Sequence, residues 1–176
     1  QNLEAIDDNS IDIVLCHWAL TLMNPITPVL NEVSRVLSSG GRFAALVNGP
    51  MSAAPRYSDV HNLIYEYVQA KLPKYGEIDL GDPRIRSTDS LRNLLSEAFP
   101  NAKVNIETSV VSMEGPVAKV AETAAGFFYA SFVLQPESRR KMLSEISNLL
   151  DISKQNENLE RQGRFAMPIS RLVVEM

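Results

Sequence analysis

Ile11-Asp12-Ile13-Val14-Leu15-Cys16-His17-Trp18-Ala19-Leu20, followed by Asn31-Glu32-Val33-Ser34-Arg35-Val36-Leu37-Ser38-Ser39-Gly40-Gly41-Arg42-Phe43, decides the fold. A short apolar run ends at polar and aromatic residues. A helical stretch with Glu32 and Arg35 follows, then two glycines, then a second apolar run. Strand, helix, tight turn and strand make the repeat unit of a parallel α/β sheet. The run at 11–16 shows little alternation, which suits a strand covered on both faces.

The rest of the chain extends this pattern. Asp7-Asp8-Asn9-Ser10 is a polar turn before the first strand, and Asn24-Pro25 is a break. Thr27-Pro28 reads as a cap followed by proline at the first helical position. Val29, Leu30, Val33, Val36 and Leu37 form the apolar face of a helix expected to end at Gly40-Gly41. Strands are expected near 11–16, 42–47, 103–111 and 164–175. Helices are expected at about 57–72, from a Thr88 cap through Ala98, at 116–133 and at 136–150. Residues 73–86 read as a loop, and 151–162 as a loop or a frayed helix end.

The 176 residues suffice for one domain with a sizeable core. A net charge of −4 disfavours a general nucleic-acid binder. Cys16 is the only cysteine, so no intrachain disulfide can form, and cytoplasm is the expected compartment. No apolar run approaches the roughly 18 residues of a membrane span. Gln1 in first place, without Met, reads as the start of a piece of a longer chain. No Cys, His, Asp and Glu set has metal spacing, so no metal site is expected, and no Ser-His-Asp signature occurs.

Four stretches resemble the later half of class I S-adenosylmethionine-dependent methyltransferases, the UbiE-like small-molecule enzymes in particular. Asn2-Leu3 with Asp7-Asp8-Asn9-Ser10-Ile11-Asp12-Ile13-Val14 is similar to the family's N-L-P…D-S-F-D-V-V. Glu32 to Phe43 is similar to E-x-x-R-V-L-K-P-G-G-x-F, with Ser38-Ser39 in place of Lys-Pro. Gly81-Asp82-Pro83, then Leu91 to Phe99 and Val104, resembles a helix–strand module, with Phe99-Pro100 for Gly-Phe. Gly163-Arg164-Phe165-Ala166-Met167-Pro168 resembles the returning hairpin strand, which implies that the last strand runs antiparallel.

The resemblance implies an α/β fold: the last four strands, four to seven, of a Rossmann-like sheet in the order 3-2-1-4-5-7-6, with flanking helices. It implies a single domain over 1–176, incomplete at its N-terminus. It implies methyl transfer from S-adenosylmethionine to a small-molecule acceptor in the full-length parent. Gln1, Asn2, Leu3, Cys16 and His17 would face the cofactor, and Trp18, Leu22 and Asn48 the substrate. His17 is the candidate catalytic residue, because an imidazole titrates near neutrality; a pocket-wall role is its alternative.

The departures matter equally. The family's Gly-rich cofactor loop and its ribose-binding acid are not in these residues, so the chain alone is expected to be inactive and cofactor binding to it is left open. The alternative is a non-catalytic methyltransferase-like fragment that dimerises through its exposed first strand. A nucleotide-dependent reductase is disfavoured by the lack of a glycine fingerprint. Cys16 is expected to pack, Glu32 and Arg35 to make a structural polar contact, and Tyr57, Tyr65 and Tyr67 to pack. His61 is expected in solvent. The cluster Phe127, Phe128, Tyr129 and Phe132 is expected as core or as a lid helix.

Overall fold

The structure, a computed structural model, describes residues 3–75, 81–153 and 161–176. Gln1 and Asn2, much of the 73–86 loop and most of the 151–162 loop lie outside them. The elements, in chain order, are β1 (Ile11–His17), α1 (Thr27–Val36), β2 (Leu37–Asn48), α2 (Tyr57–Gln69), α3 (Thr88–Ala98), β3 (Lys103–Pro116), α4 (Val117–Gly126), α5 (Pro136–Leu150) and β4 (Gln162–Glu175). Short 3-10 turns lie at Ala19–Leu22, Met51–Ala53, Pro83–Arg86 and Tyr129–Val133. The four strands form one sheet in the order β1-β2-β4-β3. β1 and β2 are parallel, and β4 returns antiparallel to β2, as expected. The α/β class with flanking helices is thus observed.

Contacts divide the chain into two compact units. The first comprises Gln1–Pro50, Asp79–Ser109 and Pro168–Met176. The second comprises Met51–Ile78 and Val110–Met167.

The core of the first unit lies between one face of the sheet and the helices α1 and α3. Phe43, Ala45 and Val47 of β2 and Leu172 and Val174 of β4 point into it. They meet Leu30 and Val33 from α1 and Leu91, Leu94, Leu95 and Ala98 from α3. The alternation along β2 sends every second side chain inward, the period of a pleated strand. Phe43 stacks nearly parallel to Phe99, ring centres 6.0 Å apart.

Two expectations for this unit need correction. β1 is not covered on both faces: Ile13 is 63% and Leu15 76% exposed, while Val14 packs against the core. An apolar run signals burial on both sides only where both sides receive a neighbour. The glycine pair is also not a helix-ending turn. α1 ends at Val36, and β2 already begins at Leu37. The register slips from Ile11↔Leu37 to Ile13↔Arg42, so Gly40 and Gly41 form a bulge inside the strand. Gly40 takes the left-handed φ of +80° that the bulge requires. A Cβ on Gly41 would lie 2.8 Å from the Ser38 carbonyl oxygen.

Capping differs by one residue at two helices. Thr27 is the first residue of α1, and Ile26 precedes it. Ser87, not Thr88, caps α3, accepting from the Ser90 N–H at 3.4 Å. The β3 strand runs five residues past the expected 111, to Pro116.

The second unit packs α2, α4 and α5 together. Val60, Ile64 and Val68 of α2, Val120, Ala121 and Ala124 of α4, and Met142, Ile146 and Leu150 of α5 are buried. The alanines of α4 let its neighbours approach closely. The expected long helix at 116–133 ends at Gly126 instead. A 3-10 turn follows and leaves Phe127, Tyr129 and Phe132 at 50%, 68% and 61% exposure. Phe128 alone of that cluster is buried, 5.6 Å from the ring of Tyr57. Burial raises the Tyr57 hydroxyl above its ordinary pKa, with the neighbouring Tyr65 adding to the rise. His61 is not free in solvent: its ring stacks on Tyr65 at 4.3 Å and meets Phe128 edge-on at 5.8 Å. Among the described residues, no helix is long and apolar enough to cross a membrane.

Candidate functional site at the carboxyl ends of the first two strands

β1 and β2 run parallel, so their carboxyl ends lie on the same side of the sheet. Ligands of open α/β sheets bind outside those ends. Here the ends are Cys16-His17-Trp18 and Asn48. The Trp18 N–H donates to the Leu46 carbonyl at 3.0 Å, which carries the ladder one residue past β1. Trp18 then turns left-handed, at φ +59° and ψ −10°. A bulky residue in that region is a true outlier, held at a cost of about 1–2 kcal/mol.

Three bonds hold it. The Trp18 indole Nε1 donates to Asn48 Oδ1 at 2.7 Å. Its carbonyl accepts from the Thr21 hydroxyl at 2.6 Å and from the Thr21 N–H at 3.3 Å. Backbone strain kept in place by several partners marks functional sites more often than passive ones. The His17 ring is exposed and meets the Trp18 ring edge-on, centres 4.9 Å apart. Cys16 is half-buried and carries a free thiol, and it packs against the core. Leu22, at 54% exposure, closes the 3-10 turn that follows. The structure therefore brings His17, Trp18 and Asn48 into one cluster, with Cys16 behind and Leu22 a turn away. Leu3 lies elsewhere, half-buried beside α1, where its N–H donates to Glu32 Oε2 at 2.8 Å.

The support beneath this turn was not legible as part of a site. Gly81 has φ +82°, and a Cβ there would fall 2.0 Å from the Thr21 carbonyl oxygen. The next residue, Asp82, is 5% exposed, and its N–H donates to the Met23 carbonyl at 3.0 Å. Its carboxylate receives Arg84 in a fork, Nε at 2.9 Å on Oδ1 and Nη2 at 2.7 Å on Oδ2, plus the Arg84 N–H at 3.1 Å. The Arg84 guanidinium holds the Asp82 pKa down at about 2. Gly81-Asp82-Pro83 did carry a signal: an aspartate before proline caps a short helix. What it could not reveal is which turn the glycine lies against.

A second polar centre ties the start of the chain to α1. Arg35 bonds Glu32 through Nε at 3.0 Å and Nη2 at 3.1 Å. The Arg35 bond, followed by that of the Leu3 N–H, lowers the Glu32 pKa to about 2. Arg35 is raised above its usual value by Glu32 and then Asp8. The expected structural contact between Glu32 and Arg35 is thus present, and it extends further than expected. Among the described residues, no group of His, Cys, Asp and Glu could hold a metal ion.

The methyltransferase domain family model matches residues 1–45, the segment through β1 and α1 into β2. No curated protein matches the chain in sequence. Among solved structures, a protein of Bacillus halodurans C-125 assigned as a methyltransferase is 15% identical, with a TM-score of 0.51 over 97% of this chain and 71% of that one. The YcgJ protein of Bacillus subtilis is 13% identical, with a TM-score of 0.51 over 97% of this chain and 65% of its own. The chain thus spans about two thirds of the length of these structural relatives. At such identities the likeness shows the fold.

Proposed function

We propose that this chain, which carries the fold of the S-adenosylmethionine-dependent class I methyltransferases, serves methyl transfer to a nucleophile on a small molecule. The observation that carries the reading is the left-handed Trp18 tied to Asn48 at the carboxyl ends of β1 and β2. Trp18 stands within the stretch matched by the methyltransferase domain model, residues 1–45, and Asn48 just beyond it. The strand order β1-β2-β4-β3 is consistent with strands four, five, seven and six of the family sheet and supports the same reading.

The cofactor supplies an electrophilic methyl group on a sulfonium sulfur. In this reading Cys16 and His17 form part of its wall; Gln1 and Asn2 lie outside the described residues, and Leu3 stands away from the strand ends, beside α1. A half-buried thiol carbon and an exposed imidazole suit a group that is apolar at the methyl and positive at the sulfur. The fit is partial, because no G-x-G-x-G run occurs in the sequence. Trp18, Leu22 and Asn48 would bound the acceptor. The indole–amide bond fixes the ring plane, and Leu22 offers an apolar edge. Rates in such sites come largely from holding the nucleophile in line with the methyl. In this reading His17, whose ring meets that of Trp18, would accept a proton from that nucleophile.

Calorimetric titration with S-adenosylhomocysteine tests this. Binding tighter than about 100 μM, or roughly 5.5 kcal/mol, is the expected result. No heat at millimolar ligand would overturn the reading for this chain.

The alternative reading is that the chain binds no cofactor and two copies pair through β1. β1 is the terminal strand of the sheet among the described residues, and it exposes Ile13 and Leu15. An apolar edge strand is a template for pairing. In that reading sedimentation velocity shows a dimer that dissociates on dilution, and Leu15→Lys abolishes it. A monomer at all concentrations would sink it.

A further inference from the structure

We infer that the second unit carries a ligand site of its own, lined by aromatic rings along α2, that takes a small neutral aromatic molecule bearing a hydroxyl group. The inference is independent of the cofactor reading, because every residue it uses lies in the second unit.

The site follows from helical spacing. Tyr57, His61 and Tyr65 stand four residues apart on α2, so their side chains line one face in successive turns. Burial falls off along this row. Tyr57 is 4% exposed, whereas His61 and Tyr65 are half-buried, so the row leads from the surface inward. Phe128 meets its inner half, with ring centres 5.6 Å from Tyr57 and 5.8 Å from His61. Phe165 stacks on Tyr57 at 6.0 Å and on the half-exposed Phe127 at 6.4 Å. Rings so arranged offer faces and edges on which another flat ring can pack.

Two polar atoms within this apolar row have no protein partner. Among the described residues the Tyr57 hydroxyl makes no hydrogen bond, although the residue is nearly buried. A buried phenol ordinarily finds one. No fully enclosed side-chain nitrogen or oxygen of the described residues lacks a partner, so the small exposed part of Tyr57 includes its hydroxyl. The hydroxyl therefore stands at an opening, not sealed in packing. The second atom is on His61. Its Nδ1 lies 3.1 Å from Asn62 Oδ1, an acceptor, which assigns the ring proton to Nδ1 and leaves Nε2 its lone pair. Among the described residues Nε2 has no donor.

A donor and an acceptor thus stand one turn apart on an aromatic helix face. A hydroxyl on an aromatic ring is both acceptor and donor and suits that pair. Burial and the neighbouring Tyr65 phenol, not a charged group, raise the Tyr57 pKa. The floor therefore offers no countercharge to an ionic ligand, which favours a neutral one.

Titration of the full chain with p-cresol and with toluene, read by calorimetry and by the side-chain NMR signals of His61 and Phe128, tests the inference. Toluene has the same ring and methyl group without the hydroxyl. Saturable p-cresol binding at about 1 mM or tighter, with toluene about tenfold weaker, is expected. Tyr57→Phe should weaken p-cresol about tenfold and leave toluene unchanged. His61→Phe, which keeps a ring in the stack, should do the same. The melting temperature of Tyr57→Phe should be equal or higher, since the deleted hydroxyl satisfies nothing in the protein. No p-cresol binding at millimolar concentration would overturn the inference, as would binding that shifts neither His61 nor Phe128. Equal affinities for the two probes, or an unchanged p-cresol affinity in Tyr57→Phe, would overturn it too. So would a lower melting temperature for that variant, which would give the hydroxyl a structural partner.

Discussion

Gly81→Ala is expected to destabilise the first unit by about 3 kcal/mol or more, a loss in the range of strained backbone combined with a forced core shift. Two costs add. The residue sits at φ +82°, where an L side chain pays about 1–2 kcal/mol. The new methyl would also lie 2.0 Å from the Thr21 carbonyl oxygen and 2.7 Å from its carbon. The obstacle is backbone, so no rotamer relieves it. Either the 3-10 turn at Ala19–Leu22 or the Gly81-Asp82 segment must move. Moving the latter breaks the Asp82 N–H bond to Met23 and disturbs a buried carboxylate paired with Arg84. Moving the former pulls Thr21 from the Trp18 carbonyl. Trp18 is the only tryptophan, so its fluorescence follows the unfolding of this unit directly. An unfolding free energy from urea titration within about 1 kcal/mol of the parent would show that the two segments are not in contact as described.

Phe43→Ala should cost about 3–5 kcal/mol, the range for emptying a buried aromatic site. Phe43 is 0% exposed and sits at the middle of β2. Val14 and Val174 flank it in register on the neighbouring strands, and Phe99 covers its ring. The hole would be walled by α3 and by three strands, which cannot collapse without breaking ladder bonds. Phe43→Leu should lose markedly less, since most of the volume stays. Equal losses for Ala and Leu would show that Phe43 is not enclosed.

These two positions illustrate what could be read in advance. Phe43 announced itself by its apolar neighbours at strand spacing. Gly81 looked like one more loop glycine. Its importance comes from Thr21, sixty residues earlier, and no local pattern encodes that contact. Trp18 is similar. Its place at a strand end was evident, but its left-handed backbone depends on Asn48 and Thr21 closing around it. Arg35 stands between these cases. Its spacing to Glu32 suggested a helix-face pair, while its bonds to Leu3, Ile6 and Asp8 required the preceding chain to fold back along α1.

The misread elements share a cause. Gly40-Gly41 carries the ordinary stop signal of a helix, and only pairing with β1 turned it into a bulge within β2. The Phe127–Phe132 run had the apolar content of a helix, yet the chain left the helix at Gly126. His61 was expected in solvent, and it is half-buried because Tyr65, one turn on, and Phe128, far along the chain, pack against its ring.

Local pattern therefore determined the parts that depend on near neighbours: the strand at 11, the helix that follows, α5 from Pro136, and the apolar run of the last strand. These need only hydrophobic period, a proline or a cap, and short connections. Tertiary structure alone decided the register of β1 on β2, the exposure of Ile13 and Leu15, the strained Trp18 and the glycine beneath it. Each of those is a contact between residues distant in the chain, and its energy exists only once the sheet has brought them together.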